Sequence, residues 1–306
     1  MKKSLRSIAI EASPEASIRN ATSEQCGVCY GQDFRHCFQK KSENGTIFNI
    51  VICRSCQTMQ TLPRPTAEEL AQCYQGSYFE QRTDRGYSDY RSEAVRQQIE
   101  RVFAMNLKDL GFFEVEPSLL RAGGRSLDVG CAAGYFVDFM QRRGWSASGV
   151  EISASMAAHA RSQGLDVVQA DFLAGEVAAS YDFVTLWASL EHFADQRLLL
   201  RRLADAVRPG GSLILSTCRR GLLSWLTGPS WRYMNVPEHL FFFSRRGLVQ
   251  LFGEYGFTAI KQITYGSGLT TRPGASWPYR AAKRLADPLV KMTGQGDMMA
   301  LHFRKR

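Results

Sequence analysis

The stretch LDVGCAAGYF, residues 127–136, decides the fold. Apolar residues lead to Asp128, and Gly130 and Gly134 then bracket the small residues Cys131, Ala132 and Ala133. The pattern predicts a strand that ends in a tight turn and a helix that begins near Tyr135. Glycine adopts backbone angles that other residues resist, and it lets a ligand approach the main chain. In an open parallel sheet, ligands lie beyond the carboxyl ends of the strands, so this turn is placed for a cofactor. The spacing is G-x-x-x-G, not the G-x-G-x-x-G of a dinucleotide fold. Asp128 also sets negative charge where a pyrophosphate would be repelled. A cofactor with a cationic end suits the turn better.

Outward from this turn, short apolar runs alternate with helical ones. SLDVG precedes YFVDFMQRRG, and SGVEI precedes SASMAAHARSQG; DVVQAD and YDFVTLW follow, and RLLLRRLADAVRPGG leads into SLILST. Such alternation means βαβ units and a mainly parallel sheet. The end of the chain differs. A helix in SRRGLVQLFGEYGF, capped by Ser244, precedes FTAIKQITY, and the last apolar run is MMALHFRKR. These two runs are expected to pair as a hairpin around an excursion, 267–296, too long for a tight turn and read as a lid or surface insertion.

The strand ends supply acids in order. Glu151 in GVEIS can accept both hydroxyls of a ribose, and Asp171 in VVQADF can accept an amino group. With the glycine turn, this series resembles the class I S-adenosylmethionine-dependent methyltransferases over roughly residues 121–265. The resemblance implies an α/β fold: a seven-stranded, mainly parallel, Rossmann-like sheet with the last strand antiparallel. It implies that Gly130, Cys131, Ala132 and Gly134 approach the methionine part of S-adenosylmethionine. Asp128 would bind the amino group directly or through water, Glu151 would hold the ribose, Asp171 with Phe172 would meet the adenine, and Ile152 belongs to the same implied cofactor set. Trp187 and Tyr78 complete the implied cofactor set. Ala132 stands where the family usually has glycine.

Eight cysteines include two C-x-x-C pairs, Cys26–Cys29 and Cys53–Cys56. Thiolates suit tetrahedral zinc, and two such knuckles on adjacent hairpins supply four ligands, a closed set with a structural role. The β-like run TIFNIVIC lies between them after a Ser-Glu-Asn-Gly turn. Many bacterial methyltransferases acting on sugars or polysaccharide precursors resemble this arrangement, and YQGSYFEQR resembles their linker. Tyr78, Tyr87 and Tyr90 would close over the site, where aromatic faces favour a sulfonium cation. The predicted organisation is a loose tail (1–22), a zinc-binding module (23–65), a helical cap (66–120) and the methyltransferase domain (121–306), with lid insertions near 219–243 and 267–296.

Methyl transfer to a hydroxyl needs alignment of the nucleophile and a base to take its proton. Two Glu-His pairs are candidates: Glu191-His192 after the fourth strand and Glu238-His239 in VPEHLFFFS. The sugar methyltransferases that resemble this chain carry such a pair at the second position, so His239 ranks first as base and His192 second, with Glu238 beside them. LLSWLTGPSWRYM, 222–234, reads as a buried substrate lid, with contact to a lipid carrier at a membrane surface as the alternative.

The net charge of +9 favours an anionic small-molecule acceptor. The expected function is methylation of a hydroxyl of a sugar, nucleotide-sugar or related biosynthetic intermediate. One rival is an RNA methyltransferase whose zinc module and basic surface bind phosphates; LWASLEH in place of an N/D-P-P-Y/F motif speaks against it. The other is a non-catalytic cofactor-binding scaffold. No run of 18 apolar residues predicts a membrane span. The basic start MKKSLRSIAIEAS has no long apolar stretch, which gives an expectation of a cytoplasmic protein.

Overall fold

Seven strands form the main sheet: β4 (Arg125–Val129), β5 (Ser146–Glu151), β6 (Val167–Gln169), β7 (Tyr181–Trp187), β8 (Val207–Cys218), β10 (Phe257–Tyr265) and β11 (Met298–Lys305). They lie in the order β10-β11-β8-β7-β4-β5-β6. Every neighbouring pair is parallel except those made by β11, which runs antiparallel to both β8 and β10. This is the predicted sheet, with its last strand reversed and paired to β10 as expected. The computed structural model describes residues 25–66, 69–70, 90–174, 180–269 and 274–306. The predicted tail, Tyr78 and Tyr87 lie outside them.

The strands read as continuous apolar runs because both faces of the sheet are covered. Side chains alternate between the faces: Phe183 and Ile214 pack with Phe103, Phe112 and Phe136 on one side, while Val184, Leu186, Leu213 and Leu215 pack with Leu199, Leu203 and Leu248 on the other. The first side is built by α1 (Glu93–Asp109), α2 (Phe112–Ala122), α3 (Tyr135–Gln141) and α4 (Ala154–Ser162). The second is built by α5 (Gln196–Ala206) and α7 (Arg245–Gly253). Several helices are capped by short polar residues that satisfy first-turn amides. Asp195 accepts from the Leu198 N–H at 2.9 Å, and Ser244 accepts from the Gly247 N–H at 3.1 Å. Thr66 makes a reciprocal capping pair with Glu69. The helix that carries Ile99 and Phe103 begins after Ser92, and it is broken at Gly111, whose φ of 71° ends α1 and starts α2.

A second sheet, β1-β2-β3-β9, was only partly legible. It comprises β1 (Phe34–Lys41), β2 (Ile47–Cys53), β3 (Met59–Leu62) and β9 (Phe241–Phe242). The last strand comes from far along the chain: Met59 pairs with Phe242 and Gln60 with Phe241. Trp231, Met234 and Val236 are buried against Phe48, Ile50 and Ile52. The segment 231–243, read from sequence as part of a lid, therefore packs as the core that joins the cysteine-bearing sheet to the main one. Ahead of it lies the short helix α6 (Leu222–Thr227), which leaves Trp225 and Leu226 exposed. The excursion between β10 and β11 carries α8 (Trp277–Met292).

Gly134 caps α3 with a φ of 77°. A Cβ there would meet Leu165 Cδ1 at 2.7 Å and Ala160 Cβ at 3.1 Å, so the glycine lets the turn pack against α4 and the segment leading into β6. Gly134→Ala adds overpacking to a left-handed backbone penalty, about 2 kcal/mol or more together. The expected result is a melting temperature lowered by several degrees, read by circular dichroism; an unchanged melt would contradict this packing.

Candidate active site

The carboxyl ends of β4, β5 and β7 meet at the glycine turn. Gly130 and Cys131 both donate their N–H groups to Val150 O, at 2.8 and 3.1 Å, which ties the turn to β5. Gly130 has a φ of 74°, and a Cβ on it would lie 2.8 Å from Ser189 Cβ. Ser189 Oγ in turn donates to Val129 O at 2.8 Å, so the segment after β7 seats directly on the turn. Ala132 adopts a φ of 47°, the left-handed region that glycine tolerates best. Its N–H donates to Glu151 Oε2 at 2.8 Å, while Glu151 Oε1 accepts from the Ser153 N–H at 2.8 Å. Glu151 thus braces two loops and keeps lone pairs for further donors.

Asp128 is buried and accepts from Thr185 Oγ1 at 2.6 Å. Burial raises its carboxyl to about 7; the Thr185 hydrogen bond opposes this and the Glu151 charge adds to it. Burial likewise raises Glu151, against the pull of its backbone donors. Two acids held close in a dry site repel, and a bound cation relieves both. Cys131 contributes only backbone to the turn: its thiol is buried in the core, where Gly149 makes room, a Cβ on that residue falling 2.5 Å from the sulfur.

The other implied cofactor residues are spread along the same edge. Ile152 is exposed, Asp171 is exposed and accepts from the Leu173 N–H at 2.9 Å, and Phe172 is buried. Trp187 ends β7 and packs on Phe103 and Phe136, with ring centroids 4.9 and 5.2 Å away. Its Nε1 is buried and lacks a hydrogen-bond partner among the described residues. Tyr90 stacks on Tyr135 and accepts its hydroxyl proton at a backbone carbonyl, 2.5 Å away.

The two Glu-His pairs, far apart in sequence, come together. The rings of His192 and His239 meet edge to face, centroids 4.8 Å apart. His192 Nδ1 donates to Glu238 O at 3.0 Å, and His239 Nδ1 donates to Tyr233 O at 2.8 Å. A carbonyl can only accept, so Nε2 is the proton-accepting nitrogen of each neutral ring. His192 is half-buried, whereas His239 is 3% exposed. Glu191, Cys218 and His239 gather ligand-type atoms within 4.8 Å of one another, and Glu191 Oε2 also accepts from Thr217 Oγ1 at 2.8 Å. Behind them, Thr61 Oγ1 from β3 donates to His239 O at 2.9 Å. The cysteine-bearing sheet therefore buttresses the histidine loop.

The four predicted metal ligands also converge. Cys26 and Cys56 sulfurs lie 3.5 Å apart, as do those of Cys29 and Cys53, and all four fall within 4.8 Å of one another. Tetrahedral zinc with Zn–S of about 2.3 Å needs sulfurs roughly 3.8 Å apart, which this cluster fits. The Cys26 thiol's hydrogen bond pulls Cys56 down to about 5, the ionised form that a metal binds, while Cys26 is pushed up.

A family model described as Methyltransferase domain matches residues 87–262, more than half of the chain. The chain belongs to this family. Among curated proteins, the chain is 34% identical over 127 residues to a ubiquinone biosynthesis O-methyltransferase of Idiomarina loihiensis, covering 39% of this chain and 52% of that protein. It is 37% identical over 114 residues to the protein of the same name in Xanthomonas axonopodis pv. citri, covering 35% and 48%. The chain thus spans about half the length of the curated relatives it matches. Among solved structures, the PH0226 protein of Pyrococcus horikoshii OT3 superposes with a TM-score of 0.51 at 15% identity, over 76% of this chain and 100% of that one; this likeness concerns the fold. Among the described residues, no helix is long and apolar enough to cross a membrane.

Sequence reasoning missed Thr185, Ser189 and Gly149. Thr185 could have been found as the polar residue inside the apolar run YDFVTLW, facing a carboxylate one strand away. Gly149 could not, because its partner Cys131 is fixed only by the fold.

Binding of a cationic ligand at the glycine turn should be pH-sensitive. A buried acid raised from 3.8 to about 7 favours the folded state while protonated, and that contribution fades as pH rises through about 7. A cation against Asp128 stabilises its ionised form instead. Calorimetric affinity for S-adenosylmethionine is therefore expected to strengthen as pH rises from about 6 to about 7.5, and Asp128→Asn to weaken binding and flatten that dependence. A pH-independent affinity in the native protein would contradict this electrostatic reading.

Proposed function

We propose that the protein transfers a methyl group from S-adenosylmethionine to a hydroxyl of a small biosynthetic intermediate, a sugar or nucleotide-linked sugar being the first candidate. The observation that carries this reading is the pair of oriented imidazoles beside the glycine turn. A hydroxyl nucleophile must lose a proton, and His192 Nε2 is a base whose tautomer is fixed by Glu238 O. The curated relatives are named O-methyltransferases, which supports an oxygen acceptor. The sugar class rests on the resemblance of the four-cysteine module, and the net charge of +9 suits an anionic acceptor.

When bound, S-adenosylmethionine supplies an electrophilic methyl on a sulfonium. Asp128 would face its amino group and Glu151 its ribose, while Gly130 and Ala132 keep side chains out of the way. His192 takes the acceptor's proton at Nε2. The sequence ranks His239 ahead of His192; the near-complete burial of His239 leads us to place it behind, as a positioning residue that sets the His192 ring through their edge-to-face contact.

The experiment is incubation of the protein with methyl-labelled cofactor and fractionated small-molecule extract, with mass spectrometry of the labelled product. A methyl ether is the expected product; label on nitrogen, on carbon or in RNA would overturn the reading. With that acceptor, His192→Ala should lower kcat by roughly 100- to 10,000-fold and leave cofactor affinity unchanged. His239→Ala should cost less and shift the pH profile of kcat.

The same proposal assigns Cys26, Cys29, Cys53 and Cys56 a structural Zn2+. Elemental analysis should give one zinc per chain. Cys29→Ser should lower that content and the melting temperature, because Cys26 and Cys53 belong to the core that also holds Leu240 and Phe241. Full metal-free stability would remove this assignment.

A further inference from the structure

Helix α8 carries an unusual surface. Trp277, Ala281, Leu285 and Leu289 follow one another at i+4, with Met292 on the same side, so one stripe of the helix is apolar along its whole length. That stripe points away from the protein: Trp277 is 74% exposed, Leu285 76% and Met292 85%. The opposite side is half-buried and mixed, with Lys283 and Asp287 beside Tyr279, Ala286 and Val290. There Asp287 accepts from Lys283 at 2.7 Å and from Ser267 at 2.6 Å, and Val290 O accepts from Thr264 Oγ1 at 3.2 Å. An ordinary surface helix has the reverse arrangement.

The apolar stripe is edged by cations. Arg280, Arg284 and Lys291 lie one position ahead of Ala281, Leu285 and Met292, at the stripe's border. Arg280 and Arg284 are exposed and make no ion pair among the described residues; Lys291 pairs with Asp109. The one acid of the helix, Asp287, is turned inward.

A second apolar element lies close by. On α6, Trp225 is 78% exposed and Leu226 is exposed beside it. Leu223 of this helix reaches Gly268 at the root of the α8 excursion, and the Arg219 guanidinium donates to Gly296 O at 3.3 Å just past its end. α6 follows β8 and the α8 excursion follows β10, two strands that run in the same direction. Both helices therefore leave the carboxyl edge of the sheet, the edge that holds the glycine turn and His192.

We infer that α8 and α6 form a docking surface for an anionic lipid bilayer, with α8 lying in the interface plane. A helix with an exposed aromatic–aliphatic stripe and a cationic border buries the stripe among acyl chains and sets its cations at the phosphates. The border charge selects this occupant over a second copy of the chain. Two such faces brought together would oppose cation to cation with no acid at the border to answer them. Because the surface lies on the edge of the site proposed above, it would present that site to an acceptor at the lipid–water boundary. Docking itself does not depend on methyl transfer.

The test is co-sedimentation of the full-length protein with vesicles of phosphatidylcholine alone and of phosphatidylcholine with phosphatidylglycerol, without cofactor or acceptor. The expected result is binding to the anionic vesicles that weakens with added salt. Leu285→Glu with Met292→Glu, and separately Arg280→Glu with Arg284→Glu, should each reduce the partition coefficient at least about tenfold. Their melting temperatures should stay unchanged, since these side chains are exposed. Protein left in the supernatant with both vesicle types, or binding indifferent to the Leu285/Met292 variant, overturns the inference. So does a dimer in sedimentation velocity without lipid that the same variants abolish, which would assign the face to a second copy. None of these outcomes bears on the acceptor chemistry, which the labelled-product experiment decides separately.

Discussion

The Glu151 carboxylate holds the site together. One oxygen accepts from Ala132 in the glycine turn and the other from Ser153 at the start of α4. Without that brace, the left-handed Ala132 would relax, because a residue with a Cβ leaves that region unless something holds it. The brace costs desolvation of a carboxylate, and its neighbour Asp128 is buried a strand away under the same penalty. A site built from two dry acids is electrostatically tense. The charge that relieves it is positive, so the pair of acids favours a cationic group over a pyrophosphate.

A second dependence runs from the cysteine-bearing sheet to the histidines. Thr61 of β3 holds His239 by its carbonyl, and its N–H donates to Leu240 O at 3.0 Å. Leu240 N–H donates back to Glu191 O at 2.9 Å, beside His192. The two Glu-His pairs are thus clamped between the main sheet and the smaller one. An N-terminal module that looks separable in sequence acts in the structure as a wall behind the histidine loop.

The surface of α8 fits the same economy of parts. The helix turns Asp287 and Lys283 inward and leaves Trp277, Leu285 and Met292 outward. A helix in water would rotate to hide Leu285 and Leu289 if packing alone set its orientation. Here the Ser267, Thr264 and Asp109 contacts fix it against that preference.

The sequence by itself determined the sheet and the glycine turn. Both depend on local patterns: strand–helix alternation, glycines at Gly130 and Gly134, and acids at strand ends. The four cysteines were legible for the same reason, since C-x-x-C spacing states its own chemistry. Tertiary structure decided what depends on contact between distant residues. Gly134 serves packing against Ala160 and Leu165, which no local pattern reveals. The two residues of β9 are too short for any periodicity, yet they join the two sheets. His192 and His239 became one unit only when the chain brought their loops together, and the fold then buried them to different depths. The outward turn of α8 was equally hidden, because an amphipathic pattern states that a helix has two faces and leaves the fold to choose which one meets solvent.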